Sequence, residues 1–242
     1  MQTIMANDVR LTEEQVQRYE EEGFLVVPDV FDAGLCDTIK EEALRYAVED
    51  FRVCLNIHRE VPFFMDIARD PVLVRIVKTV QKSPIVVIND QLAFKKGGTP
   101  YARQAWTPHQ DNAYVKAPYG AYMQLHLFLD DWDCENGCMY YYRGSHREDL
   151  LPYTYVKSTH ESHDADGISR PGWTVTPPPQ YKIVDIVAAK GSICLQHGNV
   201  IHGSYPNLTQ DRDRSQYTIA YLNRGASFQE GKSSKKIPIE VE

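Results

Sequence analysis

Trp106-Thr107-Pro108-His109-Gln110-Asp111-Asn112-Ala113-Tyr114 is the stretch from which the fold and the chemistry of this chain are read. Pro108 favours an extended approach, because its ring crowds the helical conformation of the residue before it. A strand through His109 and Asp111 projects both side chains from one face, since strand side chains alternate with period two. One imidazole and one carboxylate then converge on a point. They make two-thirds of the 2-His-1-carboxylate set that holds Fe(II) on one face and leaves the opposite positions open. The third ligand has to come from elsewhere in the chain.

Outward from this stretch the pattern is of short strands and turns. Upstream, Ile85 to Ile88 leads into a β-rich run from Asn89 to Lys95, ended by Gly97 and Gly98. Downstream, in Tyr122 to Asp130, Gln124 and His126 alternate against Leu125, Leu127 and Leu129, as in a strand with one face on a polar cavity. Glu135-Asn136-Gly137 supplies a hairpin-type turn before Cys138 to Tyr142. Further strands are expected over Lys182 to Val187, Ser192 to Leu195 and Tyr217 to Leu222, and short strands joined by turns imply a barrel or sandwich. Residues 145–180, with His146, His160, His163, Pro171 and Pro177 to Pro179, read as an irregular lid. The segment after Gly225, with the basic cluster Lys232 to Lys236, reads as a solvated tail.

The first third is helical scaffold. Thr12 is the expected N-cap of a first helix with Gln15 at the capping-box position, ending near Gly23. Phe24 to Val27 reads as a short buried strand stopped by Pro28. A second helix is expected over Asp32 to Glu49, carrying Leu35, Ile39, Ala43 and Ala47. A third, over Pro71 to Gln81, turns Leu73, Ile76, Val77 and Val80 to the core. The expected organisation is one domain over 1–242: scaffold over about 11–81 and a β core over about 84–225 with the lid at 145–180.

Composition narrows the function classes. The 242 residues are 43% hydrophobic and 24% charged, as in a globular protein able to bury a core without staples. A formal net charge of −7 gives no reason to expect a nucleic-acid partner. No segment approaches the ~20 apolar residues of a membrane span, and the polar Met1 to Arg10 start does not read as a signal, so a cytoplasmic protein without a membrane partner is expected. Five dispersed cysteines, Cys36, Cys54, Cys134, Cys138 and Cys194, fit a reducing compartment. Cys134 and Cys138 alone make a poor zinc signature and read as half-buried thiols.

Gln196-His197-Gly198-Asn199-Val200-Ile201-His202-Gly203-Ser204 offers two imidazoles for the missing ligand. In an extended segment they fall on opposite faces, so one of them faces the cavity. Gly203 lets the backbone pass close to a bound ligand, and Ser204 adds a small hydroxyl. Arg212 and Arg214 follow. Period two places Arg214 with Gln216, Thr218 and Ala220 on a small, polar face, with Tyr217, Ile219 and Tyr221 toward a core. A guanidinium there can hold a carboxylate through two parallel hydrogen bonds.

Taken together, these motifs resemble the phytanoyl-CoA dioxygenase family of Fe(II)/2-oxoglutarate oxygenases. The resemblance rests on Leu11 to Gln15 and on to Val27, Asp90-Gln91-Leu92, Pro108-His109-Gln110-Asp111, Glu135 to Cys138, Gly144-Ser145-His146, His202-Gly203-Ser204 with Asn207, and Arg214. It implies a mainly β fold with flanking helices, a double-stranded β-helix (jelly roll, cupin-like). It implies His109, Asp111 and His202 as iron ligands, Arg214 and Ser204 on the far carboxylate of 2-oxoglutarate, and Gln91 beside that cosubstrate. His126 stands where the family often has Trp or another bulky residue near the cosubstrate, and Trp106 flanks the same site. Arg143 replaces the usual Pro before Gly-Ser-His, and the gap from His202 to the clamp leaves Arg212 as a contender.

The implied activity is hydroxylation of an unactivated C–H bond of a small molecule, using Fe(II), 2-oxoglutarate and O2 and releasing succinate and CO2. Asp111 points to hydroxylation, because related halogenases lack this carboxylate and admit chloride in its place. Lys95, Lys96, Arg103, Lys116 and Arg143 flank the site and would suit an anionic substrate, or are ordinary solvated charges. Tyr101, Trp106, Tyr114 and Trp173 form an apolar wall or core. The competing classes are a non-catalytic jelly-roll sensor and a cupin-type hydrolase or isomerase, which would have no use for Arg214.

Overall fold

The computed structural model describes residues 6–46, 53–156, 172–231 and 235–241. Helix α1 (Glu13–Glu22) starts where its cap demands. The Thr12 hydroxyl accepts from the Gln15 N–H at 3.2 Å, and the Gln15 side chain accepts from the Thr12 N–H at 2.9 Å. It stops at Gly23, whose φ of +84° suits glycine; a Cβ there would sit 2.4 Å from His146 Nδ1. After β1 (Phe24–Val27), α2 (Ala33–Arg45) is capped by the Asp32 carboxylate, which accepts from the Leu35 N–H. It ends at Arg45, short of the expected Glu49, and Ala47 lies outside the described residues.

Strand β2 (Val53–Leu55) leads to α3 (Pro62–Ala68) and α4 (Pro71–Gln81). Helix α4 matches the expected range. Helix α3 was not foreseen, because Phe64, Met65, Ile67 and Ala68 are all buried and leave no amphipathic stripe to read. The β core follows as β3 (Ile85–Lys95), β4 (Trp106–His109), the helical turn α5 (Asn112–Val115), β5 (Tyr122–Phe128) and β6 (Met139–Tyr142). It continues through β7 (Tyr153–Val156), β8 (Gly172–Val175), β9 (Ile183–Asp185), β10 (Ile193–His197), β11 (His202–Ser204), β12 (Arg214–Asn223) and β13 (Ile239–Glu240).

Among the described residues, all sheet pairings are antiparallel. The main sheet runs β1-β10-β5-β12-β3-β13, with β2 also on β3; a second sheet runs β4-β11-β6-β9; β7 and β8 form a hairpin. Two opposed antiparallel sheets with helices on one outer face make the double-stranded β-helix. Residues Leu92, Leu125, Leu127, Leu195, Tyr217, Ile219 and Tyr221 face Ile39, Phe64, Ile67, Leu73 and Ile76 of the helices in one cluster. The inner faces carry two smaller apolar clusters: Phe24, Phe128, Trp132, Met139 and Tyr141 at one end, Val86, Ile88, Tyr122 and Leu222 at the other. Both contain residues of β5, Phe128 in the first and Tyr122 in the second. Between them, in β5, β10 and β12, stand Gln124, His126, Gln196, Gln216 and Thr218. The polar face expected from the alternation in β5 and β12 is thus the interior of the jelly roll.

Two expectations about the periphery change. The segment after Gly225 is not a free tail: Ile239 and Glu240 pair with Val87 and Val86 of β3, and Lys236 is buried with its ammonium donating to Tyr114 O at 3.2 Å. Pairing satisfies the edge of β3, which composition alone does not reveal. Within 145–180, the ordered hairpin β7–β8 packs on β4, with Thr174 Oγ1 donating to Pro108 O at 3.1 Å. His160, His163 and Pro171 lie outside the described residues. Among the described residues, no helix is long and apolar enough to cross a membrane.

Candidate metal centre

His109 ends β4, and Asp111 stands two residues on, in helical backbone (φ −66°, ψ −31°) at the start of α5. The two therefore do not share a strand face, as the spacing suggested. The chain turns instead at Gln110, whose buried amide donates to Asn199 O at 2.8 Å and accepts from the Leu151 N–H at 2.8 Å. Asn112 N–H then donates to Gly198 O. Convergence survives through the turn rather than through the pleat.

His202 opens β11, directly opposite His109 in the pairing of β11 with β4, and the two rings lie 4.2 Å apart between centroids. Each ring is oriented from behind by the backbone. His109 Nδ1 donates to Thr107 O at 2.8 Å, and His202 Nδ1 donates to Val200 O at 3.1 Å. With the proton on Nδ1, each Nε2 presents a lone pair. His109 Nε2 lies 3.4 Å from Asp111 Oδ1, and His202 Nε2 lies 3.4 Å from Asp111 Oδ2. Ligand atoms of these three residues all fall within 4.8 Å of one another. Lone pairs facing a carboxylate across this gap fit a divalent cation, and two nitrogens with one oxygen suit Fe(II).

The electrostatics agree. Burial holds His202 neutral down to about 3. For His109, burial acts downward but is outweighed by the hydrogen bond and charge of Asp111, which raise its pKa. Asp111 is opposed by its own burial, yet the neighbouring imidazoles of His202 and His109, the latter through a hydrogen bond as well, keep it well below the usual carboxylate range. A cation would take the place the shared proton otherwise fills.

Arg214 is 3% exposed on the inner face of β12. Its Nε donates to Gly137 O at 2.9 Å, one terminal nitrogen donates to Gln216 Oε1 at 2.8 Å, and the guanidinium lies 4.6 Å over the Trp132 ring. Among the described residues no carboxylate pairs with it. Burial lowers its pKa to about 10, so it stays charged near neutrality. Arg212 points away, forked onto Asp133 at 2.5 Å and Glu135 at 2.9 Å. The Glu135-Asn136-Gly137 turn gains a purpose here: Asn136 ties it to Asp131 O and Asp213 O, so the Gly137 carbonyl meets Arg214.

Lys95, grouped in sequence with the solvated cations, is 2% exposed and sits opposite Arg214 in the β3–β12 register. Its ammonium donates to Ser204 Oγ at 2.8 Å and to Tyr205 O. Burial, then the charge of Arg214, pull its pKa well below the ordinary lysine range. The missed signal was in phase: Lys95 is four residues from Gln91 on one strand, hence on the same inner face. Ser204 is buried, and its oxygen accepts from Lys95 rather than from Arg214. Lys96, Arg103, Lys116 and Arg143 are exposed.

Other expected residues fall into place less uniformly. Gln91 is half-buried on β3, opposite Thr218. His126 is buried between Thr218 Oγ1 at 2.9 Å and Gln196 Oε1 at 3.0 Å, and burial lowers its pKa to about 4. Trp106 stands at the rim, 36% exposed, its ring 6.3 Å from that of His109. His197 closes β10 in the other sheet, with Asn199 N–H donating to its Nδ1, so a turn rather than strand parity separates it from His202. Gly203 makes room for protein: a Cβ would sit 2.4 Å from the Tyr140 hydroxyl and 2.5 Å from Trp106 O. Trp173 stacks between Tyr114 and Tyr153. Cys134 and Cys138 are free thiols 3.8 Å apart.

Comparison with known proteins bears on the family and the fold. A rat protein, phytanoyl-CoA dioxygenase domain-containing protein 1 (Rattus norvegicus), is 27% identical over 166 residues, covering 67% of this chain and 54% of that protein. The chain thus spans about half the length of the curated relatives it matches. Among solved structures, the epimerase SnoN in complex with Fe3+, alpha ketoglutarate and nogalamycin RO superposes with a TM-score of 0.74 at 18% identity, covering 94% of both chains. EctD from S. alaskensis with 2-oxoglutarate and 5-hydroxyectoine gives 0.68 at 18% identity, covering 92% of this chain and 79% of EctD. These show the jelly-roll fold. The family model for phytanoyl-CoA dioxygenase (PhyH) matches residues 19–215, from α1 to the second residue of β12. The chain belongs to the phytanoyl-CoA dioxygenase family.

Proposed function

We propose that this chain is an Fe(II)- and 2-oxoglutarate-dependent oxygenase acting on a small molecule, with hydroxylation of an unactivated C–H bond as its reaction. His109, Asp111 and His202 would hold the iron, and Arg214 the far carboxylate of 2-oxoglutarate. Bound together, iron, 2-oxoglutarate and O2 supply the oxidation: the keto acid leaves as succinate and CO2, and one oxygen atom enters the substrate C–H bond. The observation that carries the proposal is the pairing of three converging lone-pair donors with a buried, carboxylate-free guanidinium inside one jelly roll. A hydrolase needs the first and has no use for the second.

The residues of the chain orient and exclude. Thr107 O and Val200 O fix the two imidazole tautomers. Gly137 O and Gln216 hold the guanidinium so that its remaining donors form a preset fork, which lowers the ordering cost of seating a carboxylate. Phe128, Trp132, Met139 and Tyr141 close one end of the interior to water. SnoN is an epimerase, so this fold also serves reactions other than hydroxylation. Asp111 fills the ligand position that related halogenases leave to chloride, which supports hydroxylation over halogenation here.

The test is an anaerobic titration with Fe(II) and 2-oxoglutarate. A weak visible charge-transfer band is expected, and Arg214→Ala should abolish it at moderate cosubstrate concentration. Metal binding without that band in the native chain would turn the assignment to a hydrolase or isomerase. Succinate release under air across a metabolite panel then identifies the substrate.

A further inference from the structure

A row of buried polar side chains crosses the inner face of the main sheet from the metal centre to the guanidinium. Gln196 Nε2 meets Asp111 Oδ2 at 2.5 Å. An ionised carboxylate only accepts, so the amide turns its NH2 to Asp111 and its oxygen the other way. There the Tyr141 hydroxyl donates to Gln196 Oε1 at 2.7 Å, and His126 Nε2 donates to it at 3.0 Å. His126 Nδ1 then accepts from the Thr218 hydroxyl at 2.9 Å, Thr218 Oγ1 accepts from Gln216 Nε2 at 3.1 Å, and Gln216 Oε1 accepts from Arg214 at 2.8 Å. Fixing the two ends fixes every hydrogen between them. All five bonds from Arg214 to Asp111 run with the same polarity, from cation to anion.

Gln196, His126, Thr218 and Gln216 are between 0% and 7% exposed, so water does not substitute for these partners. Packing alone would be served by apolar side chains, as at both ends of the same interior. Gln196 is the member that touches a metal ligand, and two donors on one oxygen lock its amide against flipping. Bonds aligned in one direction also polarise one another.

We propose that Gln196 is a positioning residue for the metal-ligating carboxylate: its amide, locked by His126 and Tyr141, sets the plane in which Asp111 faces His109 and His202. The proposal rests on the assignment of His109, Asp111 and His202 as the metal ligands. Partners of this type that orient a ligand typically contribute 10–100-fold to metal affinity.

The test uses Co(II) as a visible probe, added anaerobically to the full chain without cosubstrate. Gln196→Met, close in volume but without a donor, should raise the Co(II) Kd at least tenfold and alter the d–d spectrum, which a loss of packing alone would not do. His126→Phe and Tyr141→Phe, which leave the Gln196–Asp111 contact but each remove one lock, should raise it less, and together about fivefold or more. A Gln196→Met Kd within twofold of native, with an unchanged spectrum, overturns the proposal. If Gln196→Met does not fold by circular dichroism, the double variant decides on the same twofold criterion. A native chain that binds no Co(II) overturns both this proposal and the oxygenase assignment; native binding with an indifferent Gln196 overturns this one alone.

Discussion

Replacing Arg214 by Lys keeps the charge and removes the fork, which makes it the sharpest probe of the cosubstrate seat. In the native chain Nε is committed to Gly137 O and one terminal N–H to Gln216 Oε1. Those two bonds hold the guanidinium plane and leave three further N–H groups for a carboxylate. An ammonium has three donors in all, cannot satisfy Gly137 O and Gln216 from one point, and loses the flat contact with Trp132 at 4.6 Å. Forfeiting one of two charge-assisted bonds to the ligand, plus part of its pre-orientation, costs about 2–3 kcal/mol. At 1.4 kcal/mol per decade that is roughly 30- to 150-fold in 2-oxoglutarate affinity. Anaerobic titration of the Fe(II) form, followed through the charge-transfer band, measures this directly. A Kd within threefold of native would refute a forked contact.

Lys95→Met should weaken 2-oxoglutarate binding about tenfold in the same titration, because a dianion opposite Arg214 loses one of two nearby cations; unchanged affinity would make Lys95 a purely structural tether of Ser204 and Tyr205. Gly137→Ala puts a side chain on a residue at φ +88° with its Cβ 2.8 Å from Asn207 N and Tyr205 O, so about 1–3 kcal/mol of stability should be lost in urea melts, with cosubstrate affinity falling alongside. Burial lowers His126 to about 4 and His197 to about 3, so the fold favours their neutral forms. Their contribution is complete above the unfolded value of about 6.5 and is lost as pH falls toward 4, at up to about 1.4 kcal/mol per pH unit for each histidine. Urea midpoints should be flat from pH 7 to 8 and fall below pH 6, with His197→Gln flattening the slope; a flat profile to pH 4.5 would contradict the burial of these rings.

Local rules carried the sequence a long way where side chains interact within a few residues. The capping box at Thr12 and the proline-led start of α4 are decided inside one helical turn, and both helices begin where expected. Alternation in β5 and β12 assigned Gln124, His126, Gln216 and Thr218 to one face and Tyr217, Ile219 and Tyr221 to the other, as observed. The failures are tertiary. Asp111 leaves the strand because Asn112 N–H bonds to Gly198 O and Gln110 to Asn199, groups far away in sequence. Gly203 is small because Tyr140 and Trp106 press on it from neighbouring strands. Lys95 reads as solvated by residue type, and only the register with β12 shows it to be interior. Gln196 lay one residue past the expected strand end, so its phase with Cys194 went unread.

The interior of this jelly roll is ordered for charges that the polypeptide itself does not supply. Lys95 and Arg214 occupy directly opposed positions on neighbouring strands, two basic groups in a medium where burial and the charge of Arg214 disfavour the proton on Lys95, and neither has a carboxylate partner among the described residues. At the other end, Nε2 of His109 and Nε2 of His202 each stand 3.4 Å from an oxygen of Asp111. Apolar residues fill the same cavity above and below, so the strip is a choice against packing. A dianion would relieve the cationic end, and a divalent cation would take the place of the proton shared at the other. Stability should therefore rise with both. With Mn(II) and 2-oxoglutarate each near 100 times its Kd, each contributes about 2.7 kcal/mol of added stability, more if the polar row couples the two ends. A thermal midpoint that moves with Mn(II) but not with further 2-oxoglutarate would leave the metal centre intact and remove the cation pair from the cosubstrate site.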